Sequence, residues 1–162
     1  MDPHRTLISV VIPCYNQGHF LDEAVNSAVS TVYQVEVIVV DDGSTDETPA
    51  VAARCGGVRY VRQENRGLAA ARNRGLETAT GDLVIFLDAD DRLMPGGIDV
   101  GARALAANPG CAMAYGRCVM MGPDGTVWPH RSSGASYPVI MRLSCARIRS
   151  GCRRWRSSGA RR

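Results

Sequence analysis

The sequence predicts an α/β protein whose mainly parallel sheet is flanked by helices. Short apolar runs rich in β-branched residues alternate along the chain with segments of helical periodicity. Strands that alternate with helices imply right-handed crossovers and therefore parallel pairing. Several of the apolar runs also end in turn-forming or acidic residues. Because ligands of parallel sheets bind beyond the carboxyl ends of the strands, these residues are the first candidates for a site.

Five elements are predicted in the first part of the chain: strands at residues 7–13, 35–40 and 58–61, and helices at residues 20–32 and 47–55. Apolar residues recur at helical spacing in the first helix. Asp22 and Glu23 favour its N-terminus, because carboxylates interact well with the helix dipole there. Thr45 or Asp46 is expected to cap the second helix.

The later elements are predicted as a helix at residues 67–80, a strand at 83–87, a helix at 95–108, and two hairpin strands at 111–121 and 126–128. Gly81 closes the first of these helices, and Pro95 and Pro109 bracket the second. The hairpin prediction rests on the turn sequence Gly122-Pro123-Asp124-Gly125.

Asp88-Ala89-Asp90 directly follows the apolar strand at residues 83–87. Two carboxylates two residues apart at a strand end point the same way. This spacing suits a hard divalent cation that keeps some waters and bridges to substrate phosphates. An ordinary acidic loop after a strand is the open alternative. Pro13-Cys14-Tyr15 and Asp41-Asp42 fall at the same predicted sheet edge, so three strand ends converge on one candidate site.

Four segments of the chain carry a resemblance in their order and spacing: Val10-Val11-Ile12-Pro13-Cys14-Tyr15-Asn16, Val37-Ile38-Val39-Val40-Asp41-Asp42-Gly43-Ser44-Thr45-Asp46, Asn65-Arg66-Gly67-Leu68-Ala69-Ala70-Ala71-Arg72-Asn73 and Phe86-Leu87-Asp88-Ala89-Asp90-Asp91. Through them, roughly residues 7–120 resemble the nucleotide-sugar half of a family 2 glycosyltransferase, with the acidic pair as its DxD motif. The resemblance implies the GT-A fold, a Rossmann-like and mainly parallel sheet flanked by helices, here with an incomplete C-terminal part. It also implies inverting transfer of a sugar from a UDP-, GDP- or dTDP-sugar to a glycan or lipid-linked acceptor.

The same resemblance implies roles for individual residues. The backbone around Pro13 and the ring of Tyr15 would hold the nucleotide base, and Asp42 would accept a hydrogen bond from a base N–H. Arg72 would meet the diphosphate through charge-assisted hydrogen bonds. Alternatives stay open: Tyr15 as a core aromatic, and Arg72 as a solvated helix residue. Asp42 could also be a turn residue, although Asp41 fits that role better.

The implied metal site uses the acidic pair. Asp88 and Asp90 would hold Mn²⁺ or Mg²⁺ against the diphosphate, with Asp90 as the direct ligand and Asp88 also contacting the nucleotide sugar. Asp91 is expected to cap or buttress the loop. Together, the metal and the arginine would stabilise the charge that develops on the leaving diphosphate.

Inverting transfer also requires a general base, which in the family is an acidic residue well downstream of the DxD motif. Beyond Asp99 the only acidic residue is Asp124, and the Pro-Asp-Gly turn accounts for it. No catalytic base is therefore assigned, and we expect it in a missing C-terminal half.

Charge is unevenly distributed along the chain. Residues 1–130 hold ten Arg against sixteen acidic residues, a charge of −6, whereas residues 131–162 hold nine Arg and no acidic residue. We therefore divide the chain into a glycosyltransferase nucleotide-sugar-binding domain (residues 1–130) and a basic Arg/Ser-rich tail (residues 131–162), expected to be disordered or frameshifted. Basic tails are typical of proteins that bind nucleic acids or anionic membranes, but we expect no nucleic-acid partner.

An out-of-frame reading is the favoured explanation of this tail. The chain contains nineteen Arg and no Lys, which indicates a GC-rich gene. GC-rich codons that are read out of frame encode Arg, Ser, Ala, Gly and Cys. Regrouping permissible codons from Ser144 allows Leu-Arg-Glu-Asn-Pro-Ile-Gly, which resembles the family's continuation. A frame change near Leu143-Ser144 would make the chain a truncated form with little or no activity. A genuine disordered basic tail and an unusual short paralogue are the alternatives.

Missing signals weigh against other classes of protein. A dinucleotide oxidoreductase requires G-x-G-x-x-G after the first strand, and this motif is absent there. A sugar nucleotidyltransferase would have a Gly-rich basic loop at the same place, and that loop is absent as well. These classes and an inactive nucleotide-binding fragment remain the alternatives. The six Cys show no CxxC spacing and the three His are scattered, so neither a zinc site nor a disulfide framework is predicted. No signal peptide and no long apolar run is found, so we expect a cytoplasmic location, with membrane association only for a full-length form.

Overall fold

In the computed structural model, the described residues are 2–116, 119–122, 126 and 139–142. Their helices and strands are β1 (Leu7–Cys14), α1 (Gly18–Ala28), β2 (Gln34–Asp41), α2 (Thr48–Arg54), β3 (Val58–Arg62), α3 (Leu68–Thr78), β4 (Leu83–Phe86), α4 (Gly97–Ala107), β5 (Met113–Tyr115) and β6 (Val139–Arg142). The elements predicted before residue 108 are all present, with ends that differ by a few residues. Of the helices in this part of the chain, none combines the length and the apolar character needed to cross a membrane.

The six strands form one sheet in the order β3-β2-β1-β4-β6-β5. The first four strands of the chain are parallel to one another, with β1 between β2 and β4 and β3 beside β2. β6 then pairs antiparallel with β4, and β5 antiparallel with β6. The predicted mainly parallel sheet is therefore confirmed, and the carboxyl ends of β1, β2 and β4 lie at the same edge.

Helices cover both faces of the sheet. Ile8, Val10 and Ile12 of β1 belong to the larger core cluster, which includes residues of α1, α2 and α4. Val11 points to the opposite face, where a smaller cluster includes residues of α3. Gly75 lets α3 approach closely, because a Cβ at this position would come within 2.1 Å of Val11 Cγ1. This contact places α3 directly on β1.

The carboxylate of Asp46 accepts hydrogen bonds from the first residues of two helices, α1 and α2. Asp46 Oδ1 accepts the N–H of Thr48 and Asp46 Oδ2 accepts the N–H of Gly18, both at 3.0 Å. Burial acts to raise the pKa of Asp46, but the hydrogen bonds from Thr48 and Gly18 outweigh it and lower the pKa. The N-cap position of α2 is occupied by Glu47 and not by either predicted residue, and Glu47 makes no side-chain cap hydrogen bond. Of the two predicted residues, Asp46 accepts from the first turn of the helix.

The predicted pairing of residues 111–121 with residues 126–128 lies largely outside the described residues, which include neither 127 nor 128. β5 is shorter than predicted and pairs with β6, with Tyr115 opposite Val139. The N–H of Gly122 does donate to the carbonyl of Thr126 at 2.9 Å, as expected where the chain turns. β5 therefore has a partner from farther along the chain, which the sequence did not indicate.

The basic tail defined from the sequence, residues 131–162, contains a strand. Val139–Arg142 form β6, which lies between β4 and β5. Disorder throughout the tail is therefore wrong for these four residues, and an apolar Val-Ile-Met run gives the physical reason. The proposed frame change near residue 144 lies outside the described residues.

Candidate active site

The loops that follow β1, β2 and β4 lie side by side. The N–H of Asp42 donates to the carbonyl of Cys14 at 2.9 Å, and the N–H of Leu87 donates to the carbonyl of Val11 at 3.0 Å. Each hydrogen bond extends the pairing of β1 with a neighbouring strand. The three strand ends singled out in the sequence therefore converge on one edge of the sheet.

The turn after β1 leaves an aromatic ring exposed at this edge. Tyr15 is 49% exposed, so the core-aromatic alternative is wrong, whereas Pro13 is buried within β1 opposite Val40. Asn16 adopts a φ of 54°, which Asn tolerates better than most residues. Its N–H donates to Ser44 Oγ at 3.0 Å and thereby ties this turn to the loop after β2.

Asp41 is built into the fold. Its buried carboxylate accepts the N–H of Ser44 at 2.7 Å and the hydroxyl of Tyr60, and lies 3.8 Å from Arg62 Nη1. Burial, the hydrogen bond to Asp41 and the negative charge of Asp41 raise the pKa of Tyr60 to about 12. The hydrogen bond to Ser44 is the turn role that the sequence favoured for Asp41.

Asp42 holds the loop that leads into α3. The residue is 3% exposed. Its Oδ1 accepts Gln63 Nε2 at 2.7 Å and the N–H of Arg66 at 2.9 Å, and its Oδ2 accepts the N–H of Gly67 at 2.7 Å. Gly67 has a φ of 83° and immediately precedes α3. Asp42 therefore positions residues 63–67, a structural role that the sequence did not indicate.

An open pocket of about 530 Å³ lies next to this anchored loop. Its walls are formed by Gly43, Arg62, Gln63, Glu64 and Asn65. Gly43 has a φ of 82°, and a Cβ there would come within 2.9 Å of the Asn65 nitrogen. Glycine is therefore required for the close approach of the two loops that form the pocket.

Arg72 reaches from α3 to the acidic pair. Its Nη2 donates to Asp88 Oδ1 at 2.6 Å, and the two side chains are 36% and 37% exposed. The alternative of a solvated helix residue is therefore wrong. Within the part of the chain that the structure describes, the buried Arg72 Nε has no hydrogen-bond partner. A buried guanidinium N–H without an acceptor suits an anionic ligand at this place.

The two carboxylates of the DxD motif differ in exposure. Asp88 is half-buried and Asp90 is exposed, and the N–H of Asp91 donates to the carbonyl of Asp88 at 3.0 Å in a tight turn. Burial raises the pKa of Asp91, and the charges of Asp90 and Asp88 raise it further. Negative charge is thus concentrated at the end of β4.

The donor set fits a divalent cation only in part. Across the described residues, no group of three or more His, Cys, Asp or Glu side chains could hold a metal ion. Two neighbouring carboxylates nevertheless suit a cation that takes its other ligands from phosphate groups and water. The acidic pair therefore fits a metal that is bound together with a diphosphate.

Several residues of the site were missed in the sequence. Tyr60 and Arg62 are two residues apart on β3, so period-two alternation together with the pairing of β2 and β3 could have placed them near Asp41. Nothing in the sequence marks Gln63, because the conformation of the loop decides which group its amide meets.

Comparisons with known proteins agree with this geometry. A model of glycosyl transferase family 2 matches residues 9–156, and the chain belongs to this family. An uncharacterized glycosyltransferase of Rickettsia felis is 36% identical over 109 residues, which cover 65% of this chain and 18% of that protein. The fold is the GT-A fold, as the sequence predicted.

Two solved structures are similar in sequence and fold. The mannosyltransferase PcManGT of Pyrobaculum calidifontis, in complex with GDP-Man and Mn²⁺, is 30% identical with a TM-score of 0.60, over 69% of this chain and 36% of that one. TarS 1–349 of S. aureus, in complex with UDP-GlcNAc, is 28% identical with a TM-score of 0.57, over 63% and 32%. This chain therefore spans less than half the length of the proteins it matches.

Proposed function

We propose that this chain forms the donor-binding part of a glycosyltransferase that uses a nucleotide-diphospho-sugar and a divalent metal. The observation that carries the proposal is the contact between Arg72 and Asp88, which joins the start of α3 to the DxD motif. It brings a cation and two carboxylates to the edge where Tyr15 and Asp42 also lie. Relatives that bind GDP-Man with Mn²⁺ or UDP-GlcNAc support the same conclusion.

Each residue has a distinct task in the proposed site. The exposed ring of Tyr15 stacks on the base, the backbone at Pro13 borders it, and Asp42 accepts a base N–H. Arg72 donates from its unpaired Nε to the diphosphate. Asp88 and Asp90 hold Mn²⁺ or Mg²⁺, which when bound supplies Lewis-acid stabilisation to the leaving diphosphate. Inversion at the anomeric carbon follows from direct displacement, as the family resemblance implies.

Nucleotide binding without transfer is the second candidate function. One observation favours it: after Asp99 the chain has a single acidic residue, Asp124, although direct displacement needs a base to deprotonate the acceptor hydroxyl. Release of free nucleotide from UDP- or GDP-sugars, with glycan and lipid-linked acceptors present, separates the two candidates. Little or no release above the rate without protein is the expected result for these 162 residues.

Thermal unfolding with and without ligands tests the proposal. UDP, GDP or dTDP should raise the Tm in the presence of Mn²⁺ and less so with a chelator, because ligands that bind only the folded state stabilise it. Asp90→Asn should abolish the metal-dependent part of the shift. Glu77→Gln is the matched control, since Glu77 is an exposed carboxylate on the surface of α3. If no nucleotide raises the Tm with either metal, the proposal is wrong.

A further inference from the structure

The carboxylate of Asp42 has limited capacity for a further hydrogen bond. An ionised carboxylate offers about four acceptor positions, two on each oxygen. Gln63 Nε2 and the N–H of Arg66 occupy Oδ1, and the N–H of Gly67 occupies one position on Oδ2. Among the described residues, three donors thus fill three positions, and the position that is left lies on Oδ2.

These three donors are not easily displaced. Asp42 is 3% exposed, and a buried carboxylate that loses a donor destabilises the protein because water reaches the carboxylate poorly. The two backbone donors are further constrained by Gly67, whose positive φ starts α3. The close approach of Gly43 to Asn65 holds the other side of the same loop. A base therefore meets Asp42 with its Oδ1 already saturated.

From this geometry we propose that the site selects a base with a single ring N–H between two carbonyl groups, uracil or thymine, over guanine. The inference rests on the proposed function and names the class of donor. Uracil and thymine present one N–H, which the free position on Oδ2 can accept. Guanine presents its ring N–H and its exocyclic amine side by side, and such a pair needs both carboxylate oxygens. With Oδ1 filled, guanine keeps one donor unpaired.

Gln63 is the residue through which this selection acts. It supplies the only side-chain donor among the three groups bound to Asp42, so it can be replaced while both backbone hydrogen bonds remain. Gln63 also lines the pocket beside Gly43. Membership of the family does not decide the base, since similar structures hold GDP-Man in one case and UDP-GlcNAc in the other.

Calorimetric titration of the wild-type chain with UDP, dTDP, GDP and CDP in Mn²⁺ tests the selection. UDP or dTDP should bind at least about ten-fold more tightly than GDP, because an unpaired polar group weakens binding by about this factor or more. CDP should also bind more weakly than UDP, since the corresponding ring nitrogen of cytosine carries no hydrogen.

Gln63→Met tests the assigned residue, because Met keeps the length of the side chain and removes the donor. The preference for UDP over GDP should shrink several-fold as Oδ1 regains an acceptor position. Gln34→Met is the matched control, at the amino end of β2 and far from the site, and it should keep the wild-type preference.

The experiment distinguishes a wrong inference about the base from a wrong proposal of nucleotide binding. GDP binding as tightly as UDP, or an unchanged preference in Gln63→Met, overturns the inference and leaves the proposed function standing. Absence of binding by all four nucleotides overturns both.

Discussion

Asp42 and Asp90 lie at the same edge of the sheet, but their surroundings differ. Asp42 is 3% exposed and accepts three hydrogen bonds from one loop. Asp90 is exposed, and the carboxylate of nearby Asp88 forms an ion pair with Arg72. The region around Asp42 is completed by the protein itself, whereas the DxD loop is left open to solvent. Carboxylates that look alike in sequence therefore divide into one that is anchored in the fold and others that are accessible to solvent.

The largest expected effect comes from removing the buried carboxylate. Asp42→Ala should lower the free energy of unfolding by about 2–3 kcal/mol, because it removes a buried carboxylate that accepts three partly buried hydrogen bonds from Gln63, Arg66 and Gly67. Urea denaturation followed by circular dichroism measures the change. A loss below about 1 kcal/mol would mean that the anchored loop does not depend on Asp42.

A smaller effect is expected at the neighbouring Asp41. Tyr60→Phe removes one donor to a buried carboxylate and should destabilise the protein by about 1 kcal/mol. The pKa of Tyr60 is raised to about 12, above its ordinary value near 10. The protonated hydroxyl thus contributes stability that is fully present below about pH 10 and is lost as pH rises towards 12.

Comparing the two proteins by denaturation at pH 8 and pH 11 checks this prediction. The stability difference between wild type and Tyr60→Phe should narrow at the higher pH. Absorbance of the phenolate near 295 nm, titrated in the folded wild type and in Tyr60→Phe, identifies the group that titrates. An equal difference at both pH values would contradict a role for this hydroxyl.

The smallest effect on stability is expected in the exposed DxD loop. Asp90→Asn should change the free energy of unfolding by no more than about 0.5 kcal/mol, because exposed side chains outside hydrogen-bond networks contribute little. Relief of repulsion with Asp88 and Asp91 could even stabilise the protein slightly. Urea denaturation without metal measures this change in the free energy of unfolding. A loss of stability as large as that of Asp42→Ala would remove the distinction between the two regions.

The sequence predicted most of what positions the site. Alternating strand and helix patterns located β1 to β4 and the helices between them, because buried parallel strands appear as apolar runs. The acidic pair after β4 and the turn after β1 were recognised from their positions alone. The pairing of β5 with β6 was not predicted, since turn residues at 122–125 indicate only a local reversal, and partner choice depends on contacts distant in sequence.

Within the site, residue types and strand ends were readable from the chain, and hydrogen-bond partners were not. Asp42 could be named as a site residue because it follows an apolar run. Only the folded chain decides that Gln63, Arg66 and Gly67 converge on it. The physical reason is that β-strand and helix patterns arise from local periodicity, whereas a carboxylate's donors are set by how distant loops pack. The sequence thus determined the fold and the place of the site, and tertiary packing decided which acidic residue is anchored by hydrogen bonds and which is exposed.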